Sequence, residues 1–224
     1  MVHVLTKIER PPAEIVEAFK ELASATIHEA SGRKGYISCR IKPIAKGMKI
    51  CGPAFTVQCA PGDNMMLHKA LERAQPGDVL VATTGGAEEY GYFGDLMCTS
   101  GLARKVAGLA IEGCIRDGAE IIKQGFPVFS TGLCIRGTGK GTLGVVNYPT
   151  MFGGICVNPG DLIVGDDDGL VLVRREECAE VLQKSLERVA MEDGKAKTLA
   201  SGVSSVEFNK LGPMFEKAGL VEEL

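Results

Sequence analysis

The sequence predicts an α/β fold built on a parallel sheet, and three observations predict it. Apolar runs of strand length alternate with stretches of helical periodicity between Pro53 and Ser130, in the order β-α-β-α-β-α-β. The connections are short and rich in Pro, Gly and Asp. Asp95 and the pair Arg116-Asp117 are separated by 20 residues, an interval that fits one helix plus one strand. The crossover of such a unit makes its strands parallel and brings their carboxyl ends to one edge. Ligands of open α/β sheets bind outside those ends. Two carboxylates and one guanidinium are therefore expected to converge on one crevice, a site for a cation and a small anion.

The elements follow in order. Residues 11–23 form an amphipathic helix, with Ile15, Val16, Phe19, Leu22 and Ala23 on one face and Pro12 suited to its first turn. Residues 25–30 continue as a second short helix that Gly32 ends. A polar connection with room for a strand covers 41–50, and a strand covers 53–59. Pro61-Gly62 turns the chain into a helix over 64–74, capped by Asp63 or Asn64. The strand Val79–Thr83 leads to a helix over 96–106 and a strand over 108–114. The helix Gly118–Gln124 stops at Gly125, and a strand over 127–130 follows. Glycines recur from Thr131 to Gly165 among short β-type runs, which predicts bulged or antiparallel strands. Asp166-Asp167-Asp168-Gly169 lies between two apolar runs and signals a hairpin with Asp-Gly at its turn. A long helix covers 176–197. The tail beyond Ser201 carries Phe208, Leu211, Met214, Phe215 and Leu220, enough to pack on something. The expected division is a helical segment 1–32, an α/β catalytic core 33–175, and a C-terminal helix and tail 176–224 on the core or a neighbouring subunit.

Composition narrows the function. A chain of 224 residues can bury a large core. The net charge of −3, with basic residues scattered, gives no footprint for nucleic acid. No apolar run approaches the roughly 20 residues of a membrane helix, and residues 1–10 lack the apolar stretch of a signal peptide. Eight cysteines stand singly with no Cys-x-x-Cys, so zinc-ribbon and redox spacings are absent. A cytoplasmic protein without nucleic-acid or membrane partners is expected.

Each motif has a structural and a chemical reading. Asp95 and Asp117 either hold a metal or cap the helices they precede. Arg116 either binds a carboxylate with both arms or pairs with Asp117 or Glu120 at the surface. Asn64 and His68, one helical turn apart, are either site residues facing the same edge or an N-cap and a half-buried histidine. The run Gly137-Thr138-Gly139-Lys140-Gly141-Thr142 is not a phosphate-binding loop, because Gly follows the lysine and no helix is evident after it. Asp166 to Asp168 lack calcium-loop spacing. No Gly-x-Ser-x-Gly elbow or Cys-His signature supports hydrolysis through a serine or thiol.

With Gly91-Tyr-Phe-Gly-Asp-Leu96 followed by Arg116-Asp117, the chain resembles the metal-dependent 4-hydroxy-4-methyl-2-oxoglutarate / 4-carboxy-4-hydroxy-2-oxoadipate aldolases. These class II pyruvate aldolases are related to the regulator of ribonuclease activity A. The resemblance extends over nearly the whole chain, through Ala25-Thr-Ile-His-Glu-Ala30, Pro61-Gly-Asp-Asn64 with His68, Leu143-Gly-Val-Val-Asn147, Gly165-Asp-Asp-Asp-Gly169 and Glu216-Lys-Ala-Gly-Leu220. It implies a layered β/β/α domain of the swivelling, phosphohistidine-like type, with central βαβ units, assembled as a homotrimer or homohexamer. It implies Asp117 as direct ligand of Mg²⁺ or Mn²⁺ and Asp95 as the acid that holds metal-bound water. Arg116 then lies on the pyruvate oxygens, and Gly94 with the N–H groups of Leu96 and Met97 forms a carboxylate cradle. An acidic residue from a neighbour's C-terminal helix completes the family's site, and Glu192 or Asp193 is the counterpart here.

The residues support that chemistry. Cleavage of a 4-hydroxy-2-oxo diacid leaves a pyruvate enolate, so catalysis must stabilise charge on the C2 oxygen, as a divalent cation and a guanidinium do. A Schiff-base lysine is not expected, since none stands at the assigned strand ends. Decarboxylation of oxaloacetate passes through the same enolate and is the expected side activity. The alternative is a non-enzymatic, ribonuclease-binding regulator, which needs a protein-binding face and does not need both acids.

Overall fold

The computed structural model describes residues 2–223, the side chain of Asp193 excepted. In chain order the elements are α1 (Ala13–Phe19), α2 (Ser24–Ala30), β1 (Lys42–Pro43), β2 (Ile50–Gln58), α3 (Met65–Arg73), β3 (Val79–Thr83) and α4 (Asp95–Ala103). There follow β4 (Gly108–Glu112), β5 (Cys114–Ile115), α5 (Gly118–Gln124), β6 (Val128–Ser130), β7 (Gly132–Leu133), β8 (Val145–Val146), β9 (Thr150–Phe152) and β10 (Ile155–Val157). β11 (Leu162–Asp166), β12 (Gly169–Val173), α6 (Cys178–Ala200), α7 (Ser205–Phe208) and α8 (Gly212–Ala218) complete the chain.

The main sheet runs β1-β6-β4-β3-β2-β11-β12, with β8 added to β2. β6, β4, β3 and β2 are parallel, as the alternating pattern predicts. The outer members β1, β8, β11 and β12 are antiparallel. Residues 35–42 lead from β12 back to β1: Leu172 N–H donates to Gly35 O, Ile37 N–H donates to Leu170 O, and Lys42 Nζ donates to Asp168 O. The sheet therefore nearly closes on itself.

Three apolar layers follow from the period of two along each strand. Leu80 and Ala82 of β3 face α3, α4 and α5 with Leu67, Leu71, Phe93, Cys98, Ile121 and Phe126. Val79 and Val81 point the other way, into a core with Ala54, Ala110, Phe129, Ile163 and Leu172. The outer face of the β11–β12 hairpin packs against α1, α2 and the start of α6 through Phe19, Ile27, Val164, Val171, Cys178 and Val181. By its contacts the chain forms two compact units, Met1–Ser185 and Leu186–Leu224.

Several boundaries differ from expectation for local reasons. α4 begins at Asp95 and stops at Ala103, because Lys105 adopts a left-handed φ of 58°. The strand expected over 108–114 breaks at Gly113, where a Cβ would lie 2.6 Å from Thr84 Cγ2. Cys114 and Ile115 leave the main sheet there and pair with Gly132 and Leu133. In the β11–β12 hairpin Asp166 pairs with Gly169, so Asp167 and Asp168 make the turn and Gly169 follows it at φ 135°. The glycine-rich region forms short antiparallel ladders as expected, β9 with β10 among them.

Gly144 is required where β8 meets β2: a Cβ there would lie 1.8 Å from Gln58 O. Overpacking of this kind costs about 1–3 kcal/mol or more. Gly144→Ala should lower the urea midpoint accordingly, and an unchanged midpoint would contradict this reading of the β2–β8 contact.

Candidate active site

A cleft of about 170 Å³ brings together Asn64, His68, Gly94, Asp95, Leu96, Met97 and Arg116, all singled out in the sequence, with Asp117 at its edge. Gly91, Gly137, Thr138 and Lys140 also line it. A larger cleft of about 470 Å³ opens at Gln58, Thr83, Glu112 and Thr150. It carries two glutamates and no cationic residue in its lining, so the smaller cleft holds the richer chemistry.

Each predicted residue is placed by a specific interaction. β5 delivers Arg116, whose N–H donates to Phe93 O at 2.9 Å. Phe93 is fixed in turn by stacking on Phe126, ring centres 5.7 Å apart. Asp117 sits at the N-cap of α5 in the left-handed region, φ 57°, and its side chain makes no capping bond there. The carboxylate turns toward α4 instead: Oδ2 accepts from Asp95 N–H at 3.4 Å and lies 3.3 Å from Arg116 Nε. The helix-capping reading of Asp117 is thus not realised on its own helix, while the pairing of Arg116 with Asp117 is. Asp95 Oδ1 accepts from Leu96 N–H at 2.8 Å. Of the two N–H groups expected to cradle a carboxylate, that of Leu96 is held by Asp95, whereas that of Met97 has no protein acceptor among the described residues. Leu96 itself is 80% exposed at the cleft.

Glycine makes this approach possible. A Cβ on Gly94 would fall 2.5 Å from Asp117 Oδ2, and one on Gly91 would fall 2.8 Å from Arg116 Cβ. Gly94 therefore serves by having no side chain where α4 meets the acid.

On α3 the capping acid is Asp63, whose Oδ1 accepts from Met65 N–H at 2.8 Å. That leaves Asn64 free for the cleft. Its Nδ2 donates to Tyr92 O at 2.8 Å, and its Oδ1 is buried with no hydrogen-bond partner among the described residues. Partial desolvation, and then the Lys140 charge, hold the His68 imidazole below the usual histidine range.

Sequence reasoning missed the loop 137–142. It is correctly not a phosphate-binding loop: no helix follows, and the N–H groups of Gly141 and Thr142 donate to Asp63 Oδ2. It nevertheless lines the cleft and brings Lys140 there; the expectation concerned strand ends alone, and this lysine reaches the cleft from a loop. The signal was the glycine run with its lysine; what failed was confining the search for lysine to strand ends. Lys140 is exposed on a loop, without the desolvation that activates a Schiff-base amine.

Glu192 lies in the second unit on α6, paired with Arg188 at 2.8 Å, and the side chain of Asp193 falls outside the described residues.

Among the described residues no group of three or more His, Cys, Asp or Glu side chains converges for a metal. The donors at the cleft are two carboxylates, each with one oxygen engaged by backbone N–H and one without a protein partner. An oxygen-only set with few protein ligands suits a hard cation such as Mg²⁺ or Mn²⁺, which keeps several waters, and not Zn²⁺ with its nitrogen and sulfur preference.

The chain belongs to the RraA-like family (Aldolase/RraA), which matches residues 13–172. Among its relatives is a "Putative 4-hydroxy-4-methyl-2-oxoglutarate aldolase" of Halalkalibacterium halodurans, 31% identical over 86% of this chain and 92% of that protein. Streptomyces coelicolor RraAS2, described as an unusual member of the RNase ES inhibitor RraA protein family, superposes with a TM-score of 0.76 at 30% identity, over 85% of this chain and 99% of that one. An uncharacterised protein of Pseudomonas syringae superposes with a TM-score of 0.82 at 26% identity, over 94% and 99%. The expected family and layered α/β fold are thereby met. No helix among the described residues is long and apolar enough to cross a membrane.

Two outcomes test this geometry. The His68 ring should titrate below the usual histidine range in an NMR pH series, and Lys140→Ala should move it upward; no movement would exclude their coupling. Gly94→Ala should leave the unfolding free energy from urea titration within about 1 kcal/mol, because its backbone is extended. It should also displace the Asp117 carboxylate, read as a changed Asp95 amide resonance.

Proposed function

We propose that the chain is a pyruvate aldolase of the metal-dependent kind. It cleaves 4-hydroxy-2-oxo diacids, such as 4-hydroxy-4-methyl-2-oxoglutarate and 4-carboxy-4-hydroxy-2-oxoadipate, to pyruvate and a second 2-oxo acid. One observation carries the reading: Arg116 and two carboxylates meet at the first turn of α4, in a cleft that also holds Lys140 and His68. The relative named for this activity supports it.

The reaction breaks the C3–C4 bond. The 4-hydroxyl loses its proton, its oxygen becomes the carbonyl of the departing 2-oxo acid, and the bonding pair passes through C3 to the C2 oxygen. Protonation at C3 then gives pyruvate. Asp117 and Asp95 would hold Mg²⁺ or Mn²⁺, which supplies Lewis-acid stabilisation of the C2 oxygen. Arg116 places a permanent charge and two parallel donors on the pyruvate oxygens. The Met97 N–H, at a helix N-terminus, meets the substrate carboxylate. Asp95, with one oxygen unpartnered, takes the hydroxyl proton through an ordered water. Asn64 Oδ1 accepts from a substrate hydroxyl, and Lys140 binds the second carboxylate. Oxaloacetate decarboxylation shares the enolate and is the side reaction we expect.

A homotrimer or homohexamer, with Glu192 serving a neighbour's cleft, belongs to the same proposal. It is supported by the exposed Leu199, Val206, Met214, Leu220 and Val221 of the second unit. The RraAS2 likeness supports the second reading, a ribonuclease-binding regulator without catalysis.

Pyruvate release from 4-hydroxy-4-methyl-2-oxoglutarate decides between the two. Chelator should abolish it and Mg²⁺ or Mn²⁺ restore it. Full activity in chelator, or borohydride trapping of a substrate adduct on Lys140, would sink the metal-dependent mechanism. Arg116→Lys keeps the charge but loses the fork, and should lower turnover by roughly 10²–10³. Unchanged turnover at saturating substrate and metal would remove Arg116 from the mechanism.

A further inference from the structure

Asp63 has no direct place in the chemistry above, yet it is a buried carboxylate beside the cleft, 6% exposed. Both its oxygens are committed. Oδ1 caps α3 at Met65, while Oδ2 accepts from Gly141 N–H at 2.6 Å and Thr142 N–H at 3.0 Å. The adjoining backbone repeats the connection: Gly139 N–H donates to Gly62 O at 2.8 Å, and Asn64 N–H donates to Gly139 O at 3.2 Å. The glycine-rich loop is thus tied to the start of α3 by four hydrogen bonds, two of them to one carboxylate oxygen. Charge-assisted bonds of this kind are about twice as strong as neutral ones. The residue between the tied positions is Lys140, and a loop containing Gly137, Gly139 and Gly141 has little stiffness of its own.

We infer that Asp63 is a positioning residue for substrate selection: it fixes the loop 137–142 so that Lys140 stands in the cleft, and so sets affinity for the second carboxylate of the substrate. This rests on the aldolase reading for its substrate. The anchoring itself does not.

The charge balance agrees with the geometry. Burial works against the ionised carboxyl, but the N–H donors of Gly141, Met65 and Thr142, together with the Lys140 charge, outweigh it and hold Asp63 below the usual carboxylate range. The anchor is then intact at neutral pH. Asp63→Asn keeps the shape, removes the charge, and presents one carbonyl acceptor and one amide NH2 donor to three N–H donors.

The test compares wild type, Asp63→Asn and Lys140→Ala in the metal-loaded full chain, by two readouts. The first is deuterium uptake by the segment 137–144. It should quicken about tenfold or more in Asp63→Asn, the scale of losing one charge-assisted bond. The second is the split between KM and kcat. Asp63→Asn and Lys140→Ala should each raise KM for 4-hydroxy-4-methyl-2-oxoglutarate about tenfold. In Asp63→Asn, exchange of the methyl protons of pyruvate, which has no second carboxylate, should stay within about twofold of wild type. The double variant should be no worse than the worse single one. Should Asp63→Asn fail to fold, Gly141→Pro deletes the shorter bond from the loop's side and is read in the same way. Unchanged uptake overturns the anchor. Faster uptake with a fall in kcat and pyruvate exchange, but no change in KM, overturns the selective role. If wild type neither releases pyruvate nor exchanges its protons, the aldolase reading fails, and deuterium uptake alone then decides whether Asp63 holds the loop.

Discussion

The cleft depends on how closely the end of β5 approaches the first turn of α4. Arg116 and Asp117 follow β5, while α4 is the crossover helix between β3 and β4, and the two meet only because residues 91 and 94 carry no Cβ. The stacked Phe93 and Phe126 rings fix that loop from below, and Arg116 N–H closes onto Phe93 O. A helix N-terminus bears roughly half a positive charge. The same contact that packs the core thus aims Asp117, Arg116 and the Met97 N–H at one point. The charged pair is open to solvent, but the frame that orients it is buried: the Arg116 side chain is 50% exposed, that of Asp117 36%, and Phe93 0%.

Much of this was legible in the sequence, because the central strands obey simple rules. Val79–Thr83 is apolar up to Ala82, as a strand covered on both faces must be, and it pairs in parallel with β2 and β4 as the crossovers require. The interval between Asp95 and Arg116 was sufficient to place both at one edge. The sequence pattern misled where a single residue ends an element. Gly113 looks like part of an apolar strand, yet the ladder ends before it, and Cys114 and Ile115 pair instead with β7 in a separate ladder that delivers Arg116. Asp63 and Asn64 are equally good caps by type, and only coordinates separate the one that caps from the one left for the cleft. The loop 137–142 was the largest omission. Its amides point at a carboxylate 78 residues earlier, a tertiary contact with no local signature.

The proposed enolate chemistry calls for fixed charges in the cleft and no nucleophile. Asp95, Arg116, Lys140 and His68 line the cleft with Asp117 paired to Arg116, and desolvation and then the Lys140 charge hold the His68 imidazole below the usual histidine range. Cys98 on α4 is buried and its thiol pushed up to about 11, by burial first and then by the Asp95 charge, so it is no nucleophile at neutral pH. What remains is an arrangement of fixed charges around a small oxyanion, with oxygen donors for a hard cation. Lys140 extends the positive side toward a second anionic group, consistent with a diacid substrate.

The central claim is that Asp117 and Asp95 hold a divalent cation beside Arg116. Titration of the full chain with Mn²⁺, followed by electron paramagnetic resonance, tests it most directly. The account predicts one bound Mn²⁺ per chain, a signal that changes on adding pyruvate, and loss of that binding in Asp117→Ala with the fold intact by circular dichroism. Mn²⁺ binding of equal affinity in Asp117→Ala, or no binding by the wild-type chain, would contradict it.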